Sequence, residues 1–315
     1  MLSRAADNLY WMARYMERAE NMARILDVAY RMSLLPADSA QARTQWESAI
    51  IIAGCERPYA ALGGAYDAHG VIEYLALMPE NRSSIRSSLQ WARENARAMR
   101  AQITTEMWES LNDTWHEMQG LDYGRIFERG LSGFFDWVKE RSHLFRGIAY
   151  GTMQRDEAFN FVQLGGFLER ADATARILDA KYHVLLPSAE DVGGAIDYYQ
   201  WAAVLRSVSA LNAYRRIFRD TIAPARVAEL LIFREDMPRS LYASMSAVER
   251  VLGELRERYR RDYESARLAA SLALRLRYGS MREIFAQGLH EFLTETIDRN
   301  IELGNAIIRD FMLPG

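Results

Sequence analysis

The side chains best suited to chemistry in this sequence are acidic and basic residues that recur at helical spacing in two places. They are Glu17, Arg18, Glu20, Arg24 and Asp27 in the first place, and Glu169, Arg170, Asp172, Arg176 and Asp179 in the second. Glu20 and Arg24 are four residues apart, as are Asp172 and Arg176, so each pair would be neighbours on one helix face. We treat the ten residues as one candidate polar cluster.

Two interpretations of this polar cluster stay open from the residues alone. In the functional one, Arg24 and Arg176 hold a carboxylate or phosphate in a cleft, and Glu17 and Glu169 orient them or act as acid and base. In the structural one, the same charges form an ion-pair network that fixes the register of two central helices. The sequence assigns no catalytic residue.

The helices that carry the cluster also carry apolar stripes with alternating spacings of three and four residues. The stripes are Leu9, Met12, Met16, Ala19, Ala23, Leu26 and Tyr30, then Phe161, Leu164, Leu168, Ala171, Ala175, Leu178 and Tyr182. This spacing places each stripe on one helix face, and the small alanines in its middle let another backbone approach closely. We therefore predict that these two helices lie at the centre of the protein. Gly165 and Gly166 are predicted to allow a close contact between helices instead of binding a phosphate.

The two halves of the cluster belong to a longer internal repeat. Residues 17–27 align with residues 169–179, and eight of the eleven aligned pairs are identical. Weaker matches follow in the same order, among them Tyr59 with Tyr214. The period is too long for a solenoid, whose repeats usually run roughly 20–50 residues. It indicates duplication of a larger helical unit.

The predicted fold is all-α, with essentially no β-structure. Residues 1–155 and 156–315 are expected to form two tandem five-helix repeats, packed as one compact pseudo-twofold helical bundle. In the first repeat, the first predicted helix spans residues 3–34, the second begins near residue 40 with a break near 54–58, and the third begins after Asp67. The fourth runs from Ser83 or Ser84 past Trp108, and the fifth covers much of 121–150 with interruptions at Gly130 and Gly133.

Composition narrows the class of protein. The chain has 315 residues, of which 50% are apolar and 26% charged, as in a folded globular protein. A net charge of −3 argues against a general nucleic-acid binder, which usually carries a strong basic excess. No apolar run approaches the roughly 20 residues of a membrane span, and the first residues lack a signal-peptide core. We expect a soluble cytoplasmic protein without nucleic-acid or membrane partners.

Metal and nucleophile motifs are weak. Glu140 and His143 have the Glu-x-x-His spacing of di-metal helical proteins, and Asp113 and His116 resemble it, but neither pair recurs in the second repeat. The single cysteine, Cys55, follows an apolar run and is predicted to pack as a small hydrophobe. We predict no metal site and no cofactor.

Several separate segments resemble the bacterial Alpha-E family, and the resemblance covers essentially the whole chain. They are ARYMERAENMAR at residues 13–24, RENAR at 93–97, EMWESLN at 106–112, and RDE at 155–157 leading to FLERAD at 167–172. The family is named for its helical content and its Glu-Arg motif, which Glu17, Arg18, Glu169 and Arg170 match here. The resemblance carries over no catalytic residue, because the family is of unknown function.

The resemblance also implies a setting. Genes of this family typically lie beside a circularly permuted ATP-grasp protein and a transglutaminase-like cysteine peptidase, which implies a system that forms or modifies amide bonds. We therefore expect a non-catalytic helical component that binds the ATP-grasp ligase or its peptide substrate, through the groove between the repeats or through Arg-rich helices. The alternative is an enzyme of peptide or amide chemistry that uses a Glu/Arg cleft. The sequence leaves a homo-oligomer open.

Overall fold

The computed structural model describes residues 3–34, 39–184 and 195–313, and every regular element in these ranges is a helix. The helices are α1 Ser3–Ser33, α2 Ser39–Ile52, α3 Glu56–Ala61, α4 Ala68–Ile72, α5 Ile85–Ala98, α6 Thr105–Gln119, α7 Tyr123–Arg129, α8 Leu131–Thr152, α9 Glu157–Val184, α10 Ala195–Ser207, α11 Leu211–Phe218, α12 Pro224–Phe233, α13 Leu241–Tyr259, α14 Glu264–Tyr278, α15 Met281–Gln287 and α16 Leu289–Phe311. A π-helical turn, Glu73–Leu77, continues α4. The all-α prediction is confirmed for the described residues.

Helices α1 and α9 form the centre of the molecule and pack against each other. Helix α1 also contacts α5 and α8, while α9 contacts α13 and α16. The two central backbones come closest at Gly165, where a Cβ atom would collide with the carbonyl oxygen of Tyr10. The predicted close helix contact is therefore confirmed at Gly165, whereas a Cβ at Gly166 would meet open space.

The predicted apolar stripes are buried in this central interface. Every stripe residue from Leu9 to Leu26 and from Phe161 to Leu178 is almost inaccessible to solvent, and Tyr30 is partly buried. The side chain of Tyr182 lies outside the described residues. Full burial of each larger apolar side chain stabilises the fold by about 2 kcal/mol, so the stripes account for the central position of α1 and α9.

Several predicted helix boundaries were wrong. The single helix predicted from Ser83 or Ser84 past Trp108 is two helices, because α5 ends at Ala98 and Thr104 caps a new helix by accepting a hydrogen bond from the Met107 amide. The interruption predicted at Gly130 is present, with a positive φ of 88°, but Gly133 lies inside α8. As described, residues 3–152 contain eight α-helices instead of five, because short helices such as α3 and α7 carry too few residues for a periodic pattern.

Two local features recur at helix starts along the chain. Ser84 caps α5 by accepting a hydrogen bond from the Ser87 amide, and Ser240 caps α13 by accepting one from the Ala243 amide. Gly130 and Gly288, both at positive φ, stand immediately before α8 and α16. No helix in the described ranges is both long and apolar enough to cross a membrane.

Candidate functional site

The two Glu-Arg dipeptides exchange partners across the α1–α9 interface. Arg170 donates from Nε and Nη2 to the two carboxylate oxygens of Glu17, at 3.0 and 2.9 Å. Arg18 donates in the same forked way to Glu169, at 2.6 and 3.0 Å. Because a planar guanidinium matches a carboxylate at two points, each pair fixes both the distance and the register of the central helices.

Two further arginines reach Glu17 from outside α1 and α9. Arg146 of α8 lies 2.8 Å from a carboxylate oxygen of Glu17 and also donates to Glu20. Arg239, just before α13, lies 3.1 Å from the other Glu17 oxygen and pairs with Glu20 as well. Both arginines thus bridge two fully buried carboxylates.

The rest of this end of the interface surrounds Glu20. Arg24 donates to Glu20 at 2.7 and 2.9 Å and also to the carbonyl oxygen of Ser207. The Nε2 atom of His143 lies 3.4 Å from a Glu20 oxygen. We call this set the Glu17 end, and it consists of Glu17, Glu20, Arg24, Arg146, Arg170 and Arg239.

The opposite end of the interface has fewer cations. Glu169 accepts hydrogen bonds from Arg14 and Arg18, and the Arg14 guanidinium also stacks 4.8 Å from the Trp11 ring centre. Arg176 donates to Asp172 at 2.7 Å, as the helical spacing predicts. We call this set the Glu169 end, and it consists of Glu169, Asp172, Arg14, Arg18 and Arg176.

The outermost members of the predicted cluster form separate pairs. Asp27 accepts hydrogen bonds from Arg31 and from Lys139 of α8. Asp179 lies 2.6 Å from Nδ1 of His290 on α16. The ten predicted residues therefore do not line one cleft. They are distributed along the central helix pair between the Glu17 end and the Glu169 end, with Asp27 outside the first and Asp179 outside the second.

The arginines keep the central carboxylates ionised. Burial alone raises the pKa of Glu17, but Arg170 and Arg239 outweigh it and bring the pKa to about 2. Arg18 and Arg14 bring the pKa of Glu169 to about 2 in the same way. Burial also lowers the pKa of Arg239, to about 10, against the attraction of the two glutamates. At neutral pH the two glutamates are carboxylates that hold no proton to donate.

Arg14, Arg146 and Arg239 are the site residues that sequence reasoning missed. Arg146 lies 129 positions from Glu17 and Arg239 lies 219 positions from Glu20, so no local spacing connects them to the motif. Arg14 falls within the segment that resembles the family, but its pairing with Glu169 requires the packing of α1 on α9.

Two cavities flank the central pair. One, of about 480 Å³, lies beside the Glu17 end between α1, α8, α9 and α13. The other, of about 240 Å³, lies beside the Glu169 end and is lined by Ser83, Asp172 and Arg176. Ser83 immediately precedes the cap residue of α5, and the buried Arg239 immediately precedes the cap residue of α13.

The metal and nucleophile candidates do not assemble into sites. Among the described residues, no group of three or more histidine, cysteine, aspartate or glutamate side chains could hold a metal ion. Cys55 is buried, and burial raises the pKa of its thiol, which keeps it protonated at neutral pH.

A helical protein with two Glu-Arg dipeptides paired across its central helices is thus the class that the fold and the site define. The chain matches the Alpha-E family, described as a predicted alpha-helical domain with a conserved ER motif, over residues 1–312. It belongs to that family.

The relatives found by sequence comparison are longer proteins. Uncharacterized proteins of Mycobacterium bovis and of Mycobacterium tuberculosis are each 25% identical to this chain over 325 residues. The alignment covers 93% of this chain but only 35% of each relative. The chain therefore spans about a third of the length of these curated relatives. No solved structure matches the chain.

Proposed function

We propose that this protein is a non-catalytic helical component of a bacterial amide-bond-forming system, in which it binds an ATP-grasp ligase or the peptide substrate of that ligase. The observation that carries the non-catalytic part is the state of the Glu-Arg motifs. Their carboxylates are buried, ionised and each held by at least two arginines. A general acid must carry a proton and a general base must reach one, and neither condition suits these groups.

The amide-bond setting rests on the resemblance to the Alpha-E family and on the size of the relatives. In the mycobacterial proteins the matching region makes up 35% of their own length, so it is joined to further sequence there. A helical unit that forms part of a longer protein is suited to work beside another domain. We assign the present chain the same cooperative role, in the cytoplasm.

We further propose that residues 1–155 and 156–315 are two copies of one unit related by a pseudo-twofold axis. A twofold relation makes residue i of one copy contact residue j of the other while j contacts i. The exchange between Glu17–Arg170 and Glu169–Arg18 has this form. So do the contacts of α10 with α1 and of α2 with α9.

The alternative function is an enzyme of peptide or amide chemistry at the Glu/Arg motifs. The observation in its favour is the open cavity beside Glu17, Arg146 and Arg170, which could admit a substrate. The low pKa of Glu17 disfavours it, because a carboxylate of this kind is a weak base.

Co-expression with an ATP-grasp ligase from the source bacterium tests the proposal. We expect a stoichiometric complex in size-exclusion chromatography with light scattering, or a complex that forms when the ligase's peptide is added. We expect no amide formation or cleavage by the helical protein alone. Turnover of a peptide by the purified helical protein would contradict the non-catalytic role. A ligase with full affinity and rate in its absence would contradict the partnership.

A further inference from the structure

The cavity of about 480 Å³ has apolar walls and one polar end. Its apolar walls come from α1, α8, α9 and α13, and include Met16, Phe145, Phe159, Val162, Phe167 and Ala247. Its polar end is formed by Glu17, Arg146 and Arg170. A concave apolar site with a few convergent polar groups is the usual form of a small-ligand pocket.

The polar end carries an excess of positive charge. Four arginines pair with Glu17 and Glu20, the two carboxylates of the Glu17 end. Arg146 faces the cavity with 28% of its side chain exposed, and its hydrogen bonds within the described residues all run through Nη1. Its Nε and Nη2 groups remain for a ligand, and a forked pair of N–H donors suits a carboxylate.

The Glu169 end shows why this cavity exists. Arg14 stands three residues before Glu169's counterpart, Glu17, and Gly166 stands three residues before Glu169. At the Glu169 end, the Arg14 side chain occupies the space beside the central helices, where it lies against Trp11 and donates a hydrogen bond to Glu169. At Gly166 there is no side chain, and a Cβ would meet nothing within 4 Å. The cavity thus lies where the other end of the interface holds a side chain.

We propose that this cavity binds a carboxylate attached to an apolar group, with the carboxylate on Arg146 and the apolar group among Phe145, Phe159 and Phe167. The size of the cavity suits one large amino-acid side chain with its α-carboxylate. The proposal rests on the proposed function only for the source of the ligand, which would be the C-terminal residue of the peptide substrate. A free acylated amino acid offers the same chemistry.

Isothermal titration calorimetry with N-acetyl-phenylalanine tests the proposal. N-acetyl-phenylalaninamide lacks the charge, and acetate lacks the apolar group. We expect the acid to bind about tenfold or more tighter than either control, because each loses one of the two interactions. Equal binding of acid and amide, or no binding of the acid, would overturn the proposal.

A cavity-filling variant provides the second measurement. Gly166→Leu places an apolar side chain in the cavity without adding charge, and leucine favours the helix. Gly253→Leu is the matched control, because Gly253 is also a helical glycine with open space at its Cβ but lies outside the cavity. We expect Gly166→Leu to weaken binding by about tenfold or more, and Gly253→Leu to bind as the parent does. Unchanged binding by Gly166→Leu would overturn the assignment of the site.

A peptide ending in phenylalanine, with a free or an amidated C-terminus, separates this inference from the proposed function. Binding of the free-ended peptide alone supports both. If N-acetyl-phenylalanine binds but the free-ended peptide does not, the result supports the cavity as a carboxylate site and contradicts its use for a peptide substrate.

Discussion

The Glu17 end and the Glu169 end of the central helix pair share a motif but differ in how it is completed. At the Glu17 end, Arg146 and Arg239 arrive from α8 and from the segment before α13. At the Glu169 end, the second arginine is Arg14 of α1 itself. The same forked Glu–Arg pair is thus embedded in a larger buried network at one end and in a smaller, more exposed one at the other. The comparison indicates that the shared Glu–Arg pairs join the two central helices, whereas the arginines around these pairs differ between the two ends.

Removal of the central carboxylates should have the largest effect. Glu17→Gln removes the forked carboxylate partner of Arg170 and leaves Arg146 and Arg239 with Glu20 as their remaining buried carboxylate, and we expect a loss of about 3–5 kcal/mol in the free energy of unfolding. Glu169→Gln leaves two arginines, Arg14 and Arg18, without their carboxylate partner. Because 15% and 23% of their side chains are exposed to water, the loss in free energy of unfolding should be roughly half as large. Urea titration of both variants measures the difference. An equal or larger loss at Glu169 would break the comparison.

Acid should lower the free energy of unfolding by protonating the central carboxylates, Glu17 and Glu169. The folded-state pKa of Glu169 is about 2, below its ordinary value of 4.5, so the stabilisation is complete above pH 4.5 and is lost as the pH falls towards 2. The shift corresponds to about 3 kcal/mol for this buried group. Unfolding free energies of the parent and of Glu169→Gln between pH 6 and pH 2 test this expectation. The variant should show the smaller decline, and parallel curves would contradict it.

Two neighbouring glycines should respond in opposite directions. Gly165→Ala forces α1 and α9 apart at the Tyr10 carbonyl and should cost about 2–3 kcal/mol. Gly166→Ala meets open space inside a helix and should stabilise the protein by roughly 0.5–1 kcal/mol. Thermal unfolding of the two variants decides the matter. A tolerated Gly165→Ala would mean that the central backbones are not in contact there.

The outer pair at Asp27 should contribute least. Arg31 is 45% exposed, and Lys139 also serves Asp27, so Arg31→Gln should change the free energy of unfolding by about 0.5 kcal/mol or less. The same denaturant titration applies. A loss above about 2 kcal/mol would show that the network extends to the outer pair as a cooperative unit.

The fold was predictable where the signal is periodic and local. The apolar stripes identified α1 and α9 as central, and the four-residue spacing identified the Glu20–Arg24 and Asp172–Arg176 pairs. Short helices such as α3 and α7 escaped because each spans at most two turns. The exchange of partners between the Glu-Arg dipeptides escaped as well. Spacing within a helix does not reveal which residues face each other across an interface.

A double-mutant cycle on Glu17 and Arg170 is the most direct test that the Glu-Arg motifs join the two central helices. Glu17→Gln, Arg170→Gln and the double variant are compared by their free energies of unfolding, with Arg18 and Glu169 as the second cycle. We predict a coupling energy of about 2–3 kcal/mol between Glu17 and Arg170, because the forked pair is buried. Additive effects in both cycles would contradict the pairing across the interface.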